Sequence, residues 1–177
     1  MNVNPIFIAG AVIDSVKVLR MAVTVAKTKK QRQAIEQASQ GLLGLALSVH
    51  DRKFYTAQLQ RRVSEAVQAI QGFQVEFPTQ IVERDYFDPR AAAHTARACI
   101  QTWEMAARVA KTAEEKKTIE MGAMGMSKVV SMPVNCGYYS DEVRWTCRQI
   151  SLECEGFAAK TEAIREANYT KLLRTLD

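Results

Sequence analysis

The chain has 177 residues, 47% of them hydrophobic and 24% charged, with a net charge of +5; this balance excludes wholesale disorder and suffices to bury one sizeable core or two small ones. Four cysteines, Cys99, Cys136, Cys147 and Cys154, all fall in the second half without the spacing of a zinc site or a secreted disulfide framework, and read as reduced thiols in a cytoplasmic setting. The apolar stretch over residues 5–12 has no basic residue ahead of it and is interrupted by Asp14 and Lys17, which excludes a good signal peptide and a membrane-spanning helix.

Taken in chain order, the elements come in two sets of three. Laid against itself at an offset of 84, the chain matches at fourteen positions, among them Met21-Ala22 with Met105-Ala106 and residues 25–28 with 109–112. Average residue usage would give roughly six such identities. The spacing therefore predicts a tandem duplication of a three-helix unit, residues 1–84 and 85–177, and an all-α fold of about six helices forming a bundle.

The first helix starts at Pro5 behind Asn4 and its copy at Pro89 behind Asp88, a capping residue followed by a first-turn proline in both cases. The β-branched run after Pro5 could pass for a strand, but its alanine-rich partner after Pro89 is plainly helical and decides both. Thr28 with Gln31 and Thr112 with Glu115 fit a capping box and open the second helices, which end near Ser48 and before Pro133. Third helices follow over about residues 55–72 and 140–165, with Gly72-Phe73 and Gly156-Phe157 expected at matching ends. Val143, Cys147, Ile150, Cys154 and Phe157 repeat at helical spacing and form one apolar stripe, which places both of its cysteines in the core. Residues 74–88, carrying Pro78, Phe77, Tyr86 and Phe87, read as an ordered connector packed on the bundle.

Two surfaces stand out as functional candidates. The first helix has almost no polar face, so Ile6, Phe7, Ile8, Val12, Val16 and Leu19 must be covered by the chain's own core, by a partner subunit or by a membrane. All the net charge lies in residues 1–84, where Lys27, Lys29, Lys30 and Arg32 cluster and Arg52, Lys53, Arg61 and Arg62 follow; this is either a solvated helix end or a face for nucleic-acid phosphates or an acidic partner.

Chemistry is hard to find in this sequence. His50 and His94 are not equivalent in the two halves, and no phosphate loop, nucleophile elbow or helical metal-binding spacing is present. No cofactor, metal site or small-molecule substrate is expected, and an enzyme would need Glu36, Glu120, Tyr55 or Tyr139 to converge in one cleft, formed only in an oligomer. With its apolar small-residue start, residues 5–12, the chain resembles the small helical internal or ejection proteins of short-tailed phages. That resemblance implies a non-catalytic virion component that self-associates, meets other subunits, and contacts DNA non-specifically and a membrane transiently. The alternative reading is a helical-repeat adaptor that holds a partner helix or peptide between the two halves.

Overall fold

Six capping residues set the helix boundaries. In the computed structural model, which describes residues 3–50, 55–79 and 86–176, with side chains through Thr161, the helices are α1 (Pro5–Val23), α2 (Lys29–Val49), α3 (Ala57–Glu76), α4 (Pro89–Val109), α5 (Ala113–Ser131) and α6 (Asp141–Leu176). The Asn4 side chain accepts from the Ile6 amide at 3.1 Å, and Asp88 accepts from Arg90 at 2.9 Å. Thr28 and Thr112 each accept from the third amide of their helix while Gln31 and Glu115 reach back, so both capping boxes form. Thr56 and Ser140 receive the amides of Leu59 and Val143. Each cap satisfies an amide that the helix itself leaves without a partner.

The six helix starts fall in three pairs, residues 5 and 89, 29 and 113, and 57 and 141, each separated by the same 84 residues that align the sequence with itself. The packing follows the same rule. Contacts are α1 with α2, α3, α4 and α5; α4 with α2, α5 and α6; α2 with α3; and α5 with α6. Exchanging the two halves turns this set into itself. It makes α1 and α4 the central helices, each crossing a helix of the other half.

Individual residues obey the exchange as well. Ser15 and Cys99 occupy equivalent positions on α1 and α4, and the Ser15 hydroxyl lies beside the Cys99 thiol where those helices meet. At the two flanking crossings a glycine admits the partner helix. Gly41 of α2 faces Thr95 of α4, Gly125 of α5 faces Ala11 of α1, and these contacts are again equivalent. All seven buried residues of α5 have buried counterparts in α2. One hydrophobic core cluster takes residues from both halves.

Several boundaries differ from expectation. Gly72 and Gly156 end nothing: α3 continues to Glu76 and α6 to Leu176, because neither glycine adopts the left-handed conformation with which a glycine closes a helix. The matching rings also differ in depth. Phe73 is buried and stacks on Phe77 at 5.8 Å, whereas Phe157 is half-buried against Trp103. Of the connector, Phe77 and Phe87 pack on the core and Tyr86 is exposed, while residues 80–85 lie outside the described residues.

Candidate functional site

The apolar first helix divides sharply. Ile8, Val12, Val16 and Leu19 are buried in the chain's own core, because α1 is packed on four helices, and this removes them from any interface of the folded chain. Ile6 and Phe7 remain, 58% and 41% exposed. Ile6 lies in a shallow groove of about 530 Å³ beside Leu59, Arg61 and Arg62. Phe7 lies under the Lys128 ammonium, 5.4 Å from the ring centre, a cation–π arrangement.

Phe7 has apolar company. Lys117, Met121, Met124 and Lys128 repeat at helical spacing along the exposed side of α5, the helix that crosses α1. A second apolar surface is on α6. Trp145 and Leu152 are seven residues apart, hence on one face, and are 64% and 52% exposed, opposite the buried stripe of Val143, Cys147, Ile150 and Cys154. Sequence reasoning followed that buried stripe and passed over the outer one; large apolar residues out of phase with the core were the available signal.

The basic residues form no single face. Lys27, Lys29, Lys30 and Arg32 gather where α1 ends and α2 begins and make no ion pair among the described residues. Arg61 and Arg62 lie at the other end of α1, beside Ile6, and both pair with Glu65, at 3.2 and 3.4 Å. Since α1 is 19 residues long, about 28 Å separates the two groups. Arg52 and Lys53 lie outside the described residues.

The four residues that an oligomer-formed active site would require are not gathered within one chain. Glu36 and Glu120 stand on α2 and α5, and Tyr55 and Tyr139 precede α3 and α6; neither pair of helices is in contact. No group of three His, Cys, Asp or Glu side chains among the described residues is placed to hold a metal ion. Cys99, Cys147 and Cys154 are buried, and burial pushes the thiols of all three up, that of Cys154 to about 12. No described helix is long and apolar enough to cross a membrane.

A concavity that the sequence did not disclose opens between α2 and α4. Its volume is about 310 Å³, and its lining includes Gln37, Gln40, Gly41, Gly44, Ala91 and His94, with Tyr86 at the edge. Thr95 and Ser48, also in the lining, spend their hydroxyl protons on the Ala91 and Leu45 carbonyls. The side chains of Gln37, Gln40 and His94 make no hydrogen bond to another described residue, so their polar groups are available to a ligand. Comparison of the chain with protein-family models, with curated proteins and with solved structures finds no match.

Proposed function

We propose that this chain is a non-catalytic subunit of a larger assembly, built from two copies of one three-helix unit and associating with copies of itself through apolar surface on its second half. One observation carries the reading: Trp145 and Leu152 stand exposed on the outer face of a helix whose buried face is already satisfied. A large exposed apolar pair costs solubility unless something covers it. Tryptophan in particular is enriched where protein surfaces meet. Helix α6 also has 36 residues where its equivalent α3 has 20, so about 54 Å of helix is offered against about 30 Å. In the setting that the sequence resemblance implies, the assembly is a phage virion, with Lys27, Lys29, Lys30 and Arg32, which make no ion pair among the described residues, facing packaged DNA.

The test is the absolute mass in solution by light scattering at low and moderate salt, with and without duplex DNA. We expect a defined multimer that Trp145→Ser with Leu152→Ser converts to monomer at unchanged helicity. DNA binding, if it follows the basic cluster, weakens steeply with salt and is lost in a Lys27, Lys29, Lys30 and Arg32 charge-neutral variant. A clean monomer at every concentration refutes assembly. The cavity between α2 and α4 favours the second reading, an adaptor or ligand-binding module, and a monomer would leave that reading standing.

A further inference from the structure

The two flanking crossings between the halves are built alike and filled differently. At the α1–α5 crossing, Phe7 lies under Lys128, with Met121 and Met124 along the same helix. Moving 84 residues along the chain, the same four places at the α2–α4 crossing hold Ala91, Gly44, Gln37 and Gln40. A phenyl ring has become a methyl group, and the lysine over it has become a hydrogen atom. Two flexible methionines have become two primary amides. The cavity of about 310 Å³ lies among those four substitutions, and Gly10 on the filled side is replaced by His94 in the lining of the open one.

From this we infer that the α2–α4 cavity binds a small planar heteroaromatic molecule of one or two rings, whose ring takes the place Phe7 holds at the other crossing and whose edge meets Gln37 and Gln40. Size and shape come from the missing side chains: a cavity near 150 Å³ already holds one benzene ring, and small-molecule sites begin near 300 Å³. Polarity comes from the amides, each of which supplies a donor pair and an acceptor in one plane, suited to a ring edge carrying an amino group next to a ring nitrogen or carbonyl. The helices close tightly at the floor, where Gly41 meets Thr95, so the ligand enters no deeper than that contact. The imidazole of His94 and the exposed ring of Tyr86 offer flat surfaces at the mouth. This inference does not depend on self-association.

The probes are adenine, benzamide and cyclohexanecarboxamide, observed with the full chain by saturation-transfer NMR and titrated by calorimetry. Adenine and benzamide should bind with dissociation constants under about 1 mM, and the saturated ring should bind at least tenfold more weakly. Ala91→Phe restores the residue of the other crossing and should abolish binding with the melting temperature kept. Should that variant fail to fold, Gln37→Met with Gln40→Met copies the other crossing's exposed residues instead and should weaken adenine at least tenfold. Failure of both planar probes to bind the unaltered chain overturns the inference. So does equal binding of the cyclohexane probe, or undiminished adenine binding in the variants. Light scattering of the same samples reads assembly separately, so neither result can be mistaken for the other.

Discussion

Replacing Gly41 by alanine tests the pseudo-symmetric packing at its tightest point. A Cβ placed there would stand 1.9 Å from Thr95 Oγ1 and 2.8 Å from both Thr95 Cβ and Cγ2, where ordinary contact begins at 3.4 Å. The shortfall is about 1.5 Å, on the steep repulsive side of the van der Waals well. Turning the Thr95 side chain does not relieve the clash, because its Cβ itself stays at 2.8 Å and its hydroxyl would give up the bond it donates to the Ala91 carbonyl. Helices α2 and α4 must separate instead. Overpacking of this kind costs about 1–3 kcal/mol, and a shortfall this large belongs at the upper end. Removing glycine from a helix interior returns about 1 kcal/mol. The net expectation is a loss of about 1–2 kcal/mol, or a melting temperature lower by about 2–8 °C for a chain of this size.

The equivalent glycine supplies the control. A Cβ at Gly125 would meet Ala11 at 3.1 Å, a deficit of a few tenths of an ångström, so the helix-propensity gain nearly cancels the strain and Gly125→Ala should change stability by less than about 0.5 kcal/mol. Urea unfolding of both variants, followed by a double-mutant cycle of Gly41→Ala with Thr95→Ala, resolves the source of the loss. The alanine at 95 removes the two branch atoms but keeps the Cβ at 2.8 Å, so a partial rescue with a coupling of about 0.5–2 kcal/mol is expected. Equal effects at the two glycines, or a Gly41→Ala protein more stable than its parent, would refute the close crossing of α2 and α4.

Other expectations follow from burial and charge. Phe73→Ala should cost about 3–5 kcal/mol in urea titrations and the half-buried Phe157→Ala distinctly less, although the two occupy equivalent positions. In alkylation followed by mass spectrometry, the partly exposed Cys136 should be modified first while Cys99, Cys147 and Cys154 resist until the chain unfolds, since burial both shields their thiols and disfavours the thiolate. Burial raises the Asp14 carboxyl above its ordinary range, against the lowering influence of Lys17 and Arg62. Its contribution to stability is therefore fullest below the unfolded-state value and is lost as pH rises through the folded one. Thermal melts should find Asp14→Asn at least as stable as the parent at pH 7, with any advantage vanishing on acidification; an advantage that grows toward low pH would contradict the assignment.

Local chemistry made most of the fold legible. The capping side chains at Asn4, Thr28, Asp88 and Thr112 announced their helix starts because a cap needs only its own first turn. The stripe through Cys147 and Cys154 announced a buried face because its period is local too. The fate of α1 was not local. Whether an all-apolar helix is core or interface depends on what crosses it, and the helices that complete its burial, α4 and α5, begin more than eighty residues later. The same limit misled the reading of charge: Lys27 and Arg61 look like parts of one basic region in the sequence, but the length of α1 carries them to opposite ends of the bundle. Helix α6 runs on past Gly156 because that glycine takes no left-handed conformation and no proline follows to stop the helix. The α2–α4 cavity was invisible for a further reason: a cavity is a property of side chains that are missing from one crossing, and only the filled crossing tells which ones.

Equivalent positions therefore act as an internal control on function. Where the halves must fit each other they have kept the same device, a glycine at 41 and 125 and small residues at Ser15 and Cys99. Where they face outward they have parted. Trp145 corresponds to Arg61 and Leu152 to Gln68, so the outer face that is polar and ion-paired on α3 carries two large apolar side chains on α6. Met121, Met124 and Phe7 at one crossing correspond to Gln37, Gln40 and Ala91 at the other. If the halves are copies of one scaffold, selection for stability alone acts alike on both and gives no reason for paired surfaces to diverge in polarity while their core contacts persist. An exposed apolar pair on α6 in one half and an opened polar cleft at the crossing α2–α4 are what two distinct binding tasks would require. Grafting the polar outer face, Trp145→Arg with Leu152→Gln, should accordingly leave the unfolding free energy within about 0.5 kcal/mol of the parent, as for exposed positions generally, while abolishing self-association in light scattering. A large loss of stability in that variant would mean that Trp145 and Leu152 serve the fold, and the division of labour between the halves would fail with it.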